Sequence, residues 1–259
     1  MYHHNIFRYA YLAIIITILF QIGSGCKSIH GHPISDKQAR AIINRSIEYH
    51  GGTKQYDQLA SFSFEKAFSL YKADGSVEYD KLQLHEYYPS KSTYHISWEQ
   101  EKRSYKNSQY DTQYSQEING EKNTLIDDLK IKSAIDASVF TIFLPWKLLD
   151  TGINLKYEGV TTLEDGKEVY TVKAIYTPEQ HNNHTSTDIW WHYFDKESYR
   201  HEGYKVVLSD HASIISNLDF QTVDGLTFPK TRKSWRVNES NKKEYLRAAY
   251  DYKHIKISF

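Results

Sequence analysis

From Ser61 onward the apolar residues of this chain recur at every second position, and that period constrains the fold more than any other feature. Phe62, Phe64, Phe68 and Leu70 share one parity, and Ser61, Ser63, Glu65 and Ser69 share the other. A strand with one face on a core and one in water reads this way. Lys66 interrupts the apolar parity and marks a bulge or a rim. Asp74-Gly75 is a hairpin signal that returns the chain into a strand from about Ser76 to Tyr87. After Pro89, Thr93–Trp98 alternates Tyr94, Ile96 and Trp98 with His95 and Ser97. Further strands are expected near 102–108 and 110–118, closed by Asn119-Gly120.

The second half repeats this grammar. Asp165-Gly166 joins 153–162 to 167–176, and Thr187–Phe194 carries Ile189, Trp191 and Tyr193 on one side. The stretches 200–209 and 211–221 form another pair, Asp224-Gly225 leads into Leu226–Arg236, and 243–257 ends the strands. With 22 Tyr and only 5 Pro, the composition suits extended, half-buried backbone. No linker rich in Pro, Gly or Ser interrupts the pattern. The expectation is one β domain over 35–259, with about eleven strands.

Two segments break the period. Ser35 and Gln38 have capping-box spacing, and Ala39, Ile42, Ile43, Ile47 and His50 recur at helical spacing before Gly51-Gly52. The other is 125–149, in which Val139–Leu149 carries a single charge, at Lys147. Pro145 interrupts that segment. It is too apolar for a surface connection.

The first 25 residues read as an address, not as fold. Arg8 is their only charge, the apolar run Tyr9–Phe20 follows, and Gly23-Ser24-Gly25 precedes the one Cys in the chain, Cys26. A basic start, a short apolar stretch and small residues describe a secretory signal; a spanning helix needs about 20 apolar residues. An uncleaved N-terminal anchor is the alternative. One thiol makes no internal disulfide and is out of place, unmodified, in an oxidising compartment. Gly-Ser-Gly-Cys resembles the bacterial lipobox, with Gly23 departing from the usual aliphatic residue. Residues 1–25 therefore read as a signal peptide, Cys26 as a lipid attachment site and 26–34 as a tether. Removing 1–25 takes away Arg8 alone and leaves one fewer basic residue than the 32 acidic ones. Such a balance argues against a nucleic-acid surface. The absence of an acidic cluster in 27–31 favours the periplasmic side, most naturally of the outer membrane.

The order of elements (amphipathic helix, antiparallel strands, apolar helical insertion, more hairpins) resembles the outer-membrane lipoprotein carrier (Lol-type) superfamily. His50-Gly51-Gly52 followed by Leu59-Ala60-Ser61-Phe62 is similar to an uncharacterised group of Bacteroidota lipoproteins. So is Trp191-His192-Tyr193-Phe194-Asp195 with Asp224-Gly225-Leu226-Thr227-Phe228-Pro229. The resemblance implies a mainly β (α+β) fold: a half-open antiparallel β-barrel whose cavity is covered by helices and holds acyl chains. The soluble carrier of that superfamily lacks a lipid. An anchored chain therefore fits a fixed binding role better than a shuttle.

Catalytic signatures are missing. There is no Gly-x-Ser-x-Gly elbow, no phosphate loop, no His-Glu-x-x-His and no dinucleotide fingerprint. Glu164-Asp165 would point to opposite faces of a strand, and Asp165 serves its turn. His181, His184, Asp188 and His192 are the best metal candidates, but they read better as a polar loop entering a strand. The chain thus reads as a binding protein without catalytic residues, cofactor or metal. A sheet this large has more apolar inner face than two short helices fill, which suggests either a cavity or a cover that opens. The candidate ligand-binding residues are Phe62, Phe64, Phe68, Tyr94, Trp98, Phe140, Phe143, Trp146 and Trp191, and the expected partner is a lipid or lipoprotein. The alternative is a filled barrel that binds a protein or glycan through its outer surface.

Overall fold

The computed structural model describes residues 36–177 and 188–259. Thirteen strands form one sheet: β1 Ser61–Tyr71, β2 Val77–Tyr88, β3 Thr93–Gln100, β4 Arg103–Tyr110, β5 Gln113–Ile118, β6 Glu121–Lys122, β7 Ile153–Thr162, β8 Glu168–Tyr176, β9 Ile189–Asp195, β10 His201–Val207, β11 Ala212–Val223, β12 Leu226–Val237 and β13 Lys243–Ser258. Their order is β6-β5-β4-β3-β2-β1-β13-β12-β11-β10-β9-β8-β7, and every pairing is antiparallel. Strands β6 and β7 stay unpaired with each other, so the sheet is unclosed. The expected count of about eleven was low. The two-residue β6 is too short to carry a period.

Two runs of consecutive hairpins are spliced by the one long-range pairing, β1 with β13. The β1–β13 pairing slips between Ser63 and Glu65, just ahead of Lys66. The turns follow their sequence signals: Asn119-Gly120 and Asp224-Gly225 both place two residues at positive φ, as a tight hairpin of this type requires.

Helix α1 (Lys37–Tyr49), a single turn α2 (Thr53–Asp57) and α3 (Asp128–Ile142) complete the fold, with 3₁₀ turns at Pro89–Lys91 and Trp146–Leu149. Helix α1 is capped by Asp36, not by Ser35, which falls outside the described residues. One Asp36 oxygen accepts from the backbone N–H of Gln38 at 2.7 Å, and the other accepts from Tyr157 at 3.3 Å. The Asp36 N–H donates to the Leu155 carbonyl. A carboxylate that caps the helix and also meets edge strand β7 fixes where α1 begins. The apolar stripe Ala39, Ile42, Ile43 and Ile47 is fully buried, each Ile contributing roughly 1.5–3 kcal/mol relative to exposure.

The apolar segment from the end of α3 onward is a plug, not a loose cover. Phe140, Phe143 and Trp146 are 1%, 0% and 3% exposed and belong to the main core cluster with Phe62, Phe194 and Phe228. Trp146 stacks on Tyr56 at 5.1 Å and donates from Nε1 to the Gly52 carbonyl at 3.1 Å. The front of α3 packs separately: Ile131 and Ile135 bury Tyr94 and Ile96 of β3.

Candidate ligand-binding face

Inward positions follow from strand alternation and register. On β1 they are Phe62, Phe64, Lys66, Phe68 and Leu70, opposite Tyr87, His85, Gln83, Lys81 and Tyr79 of β2. Next to these stand Tyr94, Ile96 and Trp98 of β3, and Tyr105 of β4. On the other side are Tyr252, Tyr250 and Ala248 of β13, with Arg232 and Ser234 of β12 beyond them.

The helices cover only part of this face. Phe62, Phe64, Tyr94 and Phe228 are fully buried; Trp190, which Phe140 meets edge-on at 5.2 Å, is buried in the main core with Tyr204 and Val206. Farther along β1–β4 and β13, the inward residues Lys66, Phe68, Leu70, Tyr79, Lys81, Gln83, Trp98, Tyr105 and Tyr250 are half-buried. This open stretch is an aromatic trough. Phe68 stacks on Tyr250 at 5.0 Å and meets Tyr79 edge-on at 5.7 Å; Trp98 stacks on Tyr105 at 5.1 Å. The Lys81 ammonium sits 4.8 Å from the Trp98 ring centre.

The residues grouped by sequence thus separate into three environments. Phe62, Phe64, Tyr94, Phe140, Phe143 and Trp146 are core. Phe68 and Trp98 line the trough. Trp191 is on the outer face, between Lys173 and Lys205 at 5.3 and 4.8 Å. Its neighbour Trp190 is the inward one, and the single-residue step explains the difference. Sequence reasoning missed the cations. Lys66 and Lys81 share the inward parity with the aromatics, and that coincidence was visible in the alternation.

Behind the core runs a polar seam. The Arg232 guanidinium, 2% exposed, donates to Asn217 Oδ1 at 2.6 Å and to the Thr141 carbonyl at 2.8 Å. It ties the end of α3 to the sheet. Asn217 donates to the His201 carbonyl, and His201 Nε2 meets His192 Nδ1 at 3.2 Å. Burial pushes the His201 imidazole well below its ordinary pKa, with His192 and Arg232 adding to the effect. His192, a candidate metal ligand by sequence, is therefore an inward partner of His201; His181 and His184 fall outside the described residues, as does Cys26. No group of three or more His, Cys, Asp or Glu residues placed to hold a metal occurs among the described residues.

No family model matches the chain, and no curated protein matches it. Solved structures do. A LolA superfamily protein from Nitrosomonas europaea aligns with a TM-score of 0.53 at 10% identity, over 85% of this chain and 94% of that one. The fold is LolA-like. A DUF1329 family protein from Desulfovibrio piger aligns with a TM-score of 0.52 at 9% identity, over 85% of this chain and 92% of that one. At such identities the likeness concerns the fold alone. A LolA-like half-barrel, one curved antiparallel sheet with helices packed on its inner face, is what the described residues form.

Proposed function

We propose that the chain is a cell-envelope lipoprotein that holds a lipid or lipid-modified ligand in the open part of its half-barrel. The observation that carries this reading is the row of half-buried inward aromatics Phe68, Trp98, Tyr105 and Tyr250 on a LolA-like sheet. Covering an apolar surface of this kind with acyl methylenes stabilises a complex by about 0.8 kcal/mol per methylene. In this reading residues 1–25 are a cleaved signal peptide and Cys26 carries the anchoring lipid. The domain then faces the periplasm from the outer membrane and binds without catalysing.

Native mass spectrometry tests the binding part, using the exported chain with Cys26→Ser so that no anchor lipid adds mass. Discrete extra mass, identified as lipid after extraction, is the expected result. A clean apo mass that no added amphiphile shifts would overturn it. A second reading has its own observation: Leu82 and Leu84 on the outer face are 59% and 43% exposed. They border a depression of about 550 Å³ with Glu65, Ser97, Lys106 and Glu117. Under that reading a protein partner docks outside the sheet, and Leu82→Ser would abolish its capture while lipid retention stays unchanged.

A further inference from the structure

The two faces of β1–β3 are segregated by charge. Glu65, Asp80, Glu86 and Glu99 all fall on the outward parity, whereas the inward charged positions are Lys66 and Lys81. Arg232 of β12 extends the inward cations across the seam: its guanidinium carbon is 5.8 Å from the ring centre of Tyr252, the β13 residue that pairs with Lys66. Among the described residues, no carboxylate is within ion-pair distance of Lys66, Lys81 or Arg232. Arg232 is satisfied by neutral acceptors. Lys66 and Lys81 meet only ring faces: Lys66 is 5.8 Å from the Phe68 ring centre, and Lys81 is 5.1 Å from that of Tyr79.

A neutral donor adds to this excess: the Trp98 Nε1–H is buried without a hydrogen-bond partner, and the His85 Nε2 atom is buried without one as well. The register places Lys66, Gln83 and Trp98 on one line across β1, β2 and β3, with His85 one inward position away. Burial and the Arg232 charge lower the Lys66 pKa to about 8, as expected of an ammonium with no counter-ion. Desolvating a cation beside an unpaired donor is costly unless an acceptor arrives. The missing complement is a negative group with several acceptor oxygens.

We propose that the open trough binds an anionic amphiphile, its negative head between Lys66, Lys81 and Trp98 and its chain along Phe68, Tyr250 and Tyr105. This rests on the lipid-holding reading above and specifies the ligand class. A neutral lipid would leave both ammonium groups uncompensated. A bare inorganic anion would leave the aromatic floor uncovered. An anionic head joined to an apolar chain satisfies both.

Calorimetric titration of the exported Cys26→Ser chain with oleate, oleoyl lysophosphatidate, monoolein and inorganic phosphate tests this. Both anionic amphiphiles are expected to bind on the order of tenfold or more tightly than monoolein, the worth of one charge-assisted hydrogen bond. Lys66→Met and Lys81→Met should each remove most of that preference and leave monoolein binding within about twofold, since the chain contacts persist. Lys81 is half-buried on β2, so its variant keeps the test decisive if Lys66→Met folds poorly. The carboxylate and phosphate arms then tell a fatty acid from a phospholipid source. Equal affinity for monoolein and the anionic amphiphiles would overturn the inference and leave the lipid reading standing. Inorganic phosphate displacing oleate at comparable concentration would overturn it in favour of a simple anion site. Binding of none of them would overturn both.

Discussion

The imidazole of His50 donates from Nδ1 to the carbonyl oxygen of Thr227 at 2.7 Å, joining the end of α1 to the start of β12 across 177 residues of sequence. Its other nitrogen accepts the backbone N–H of His201 at 3.3 Å. Both contacts demand the neutral ring with its proton on Nδ1. Burial therefore lowers the His50 pKa to about 4, despite the Thr227 carbonyl, which favours the charged form. The unfolded chain takes up a proton at this residue near pH 6.5 and the folded chain only near pH 4, so stability is full above 6.5 and is lost as the pH falls toward 4. The contribution at stake is roughly 3 kcal/mol. Urea unfolding at pH 7.5 and 4.5 should show this loss, and His50→Phe should flatten part of it while lowering stability at pH 7.5. An unchanged pH profile in the variant would refute the assignment.

Beside His50, Gly51 at φ +117° faces the turn after β11. A Cβ there would overlap the Gly225 carbonyl oxygen and come 2.8 Å from Leu226 Cδ2. Gly51→Ala should therefore cost about 2–4 kcal/mol, from the strained φ and the backbone contact together. Gly75 has φ +83° with nothing within 4 Å, and Gly75→Ala should cost about 1 kcal/mol. Thermal melts of the two variants check the contrast. Equal losses would mean that backbone conformation alone sets the requirement.

Much of this architecture was legible because it is local. Alternation and the Asp-Gly and Asn-Gly turns gave most of the strands to within a few residues, and the α1 stripe gave its buried face. Which face of each strand turns inward is not local. It depends on register across partners such as β1 and β13, which are far apart in sequence, and a one-residue error moved Trp191 from the outer face to the expected cavity. The cap passed to Asp36 for a related reason: its second oxygen is used by Tyr157, which no neighbouring residue announces. Phe140 and Phe143 had the composition of a lid. Whether such a segment covers a space or fills it depends on the volume beneath, and composition does not encode volume.

The separation of plug from trough has a direct consequence. Phe143 packs between Phe62 at 4.8 Å and Tyr56 at 5.5 Å and is fully buried. Phe143→Ala should cost about 3–5 kcal/mol, the usual loss for a large core aromatic. Phe68→Ala, at a half-buried position, should cost less than about 1.5 kcal/mol and weaken oleate binding. Chemical denaturation gives the first comparison and titration the second. Retained stability in Phe143→Ala would show that the segment is a cover after all.

Lys66 ties binding to stability. The groups facing it are the His85 imidazole, which its charge helps keep neutral, the Arg232 guanidinium, and the Tyr252 and Gln83 side chains paired with it in register. None supplies a negative charge below the tyrosine range. The folded-state pKa of about 8 is below the ordinary value of 10.5, so folding opposes the charged form. Between pH 8 and 10.5 the unfolded chain holds a proton that the folded chain has released, and stability rises with pH through that window. Below pH 8 the ammonium is a standing cost. Lys66→Met should therefore be more stable than the parent at pH 7, with the difference shrinking toward pH 10. Saturating oleate should reverse the order at pH 7, because the bound head group compensates the ammonium in the parent alone. If Lys66→Met is the less stable protein at pH 7 without ligand, the ammonium already has a compensating partner, and the trough needs no anion.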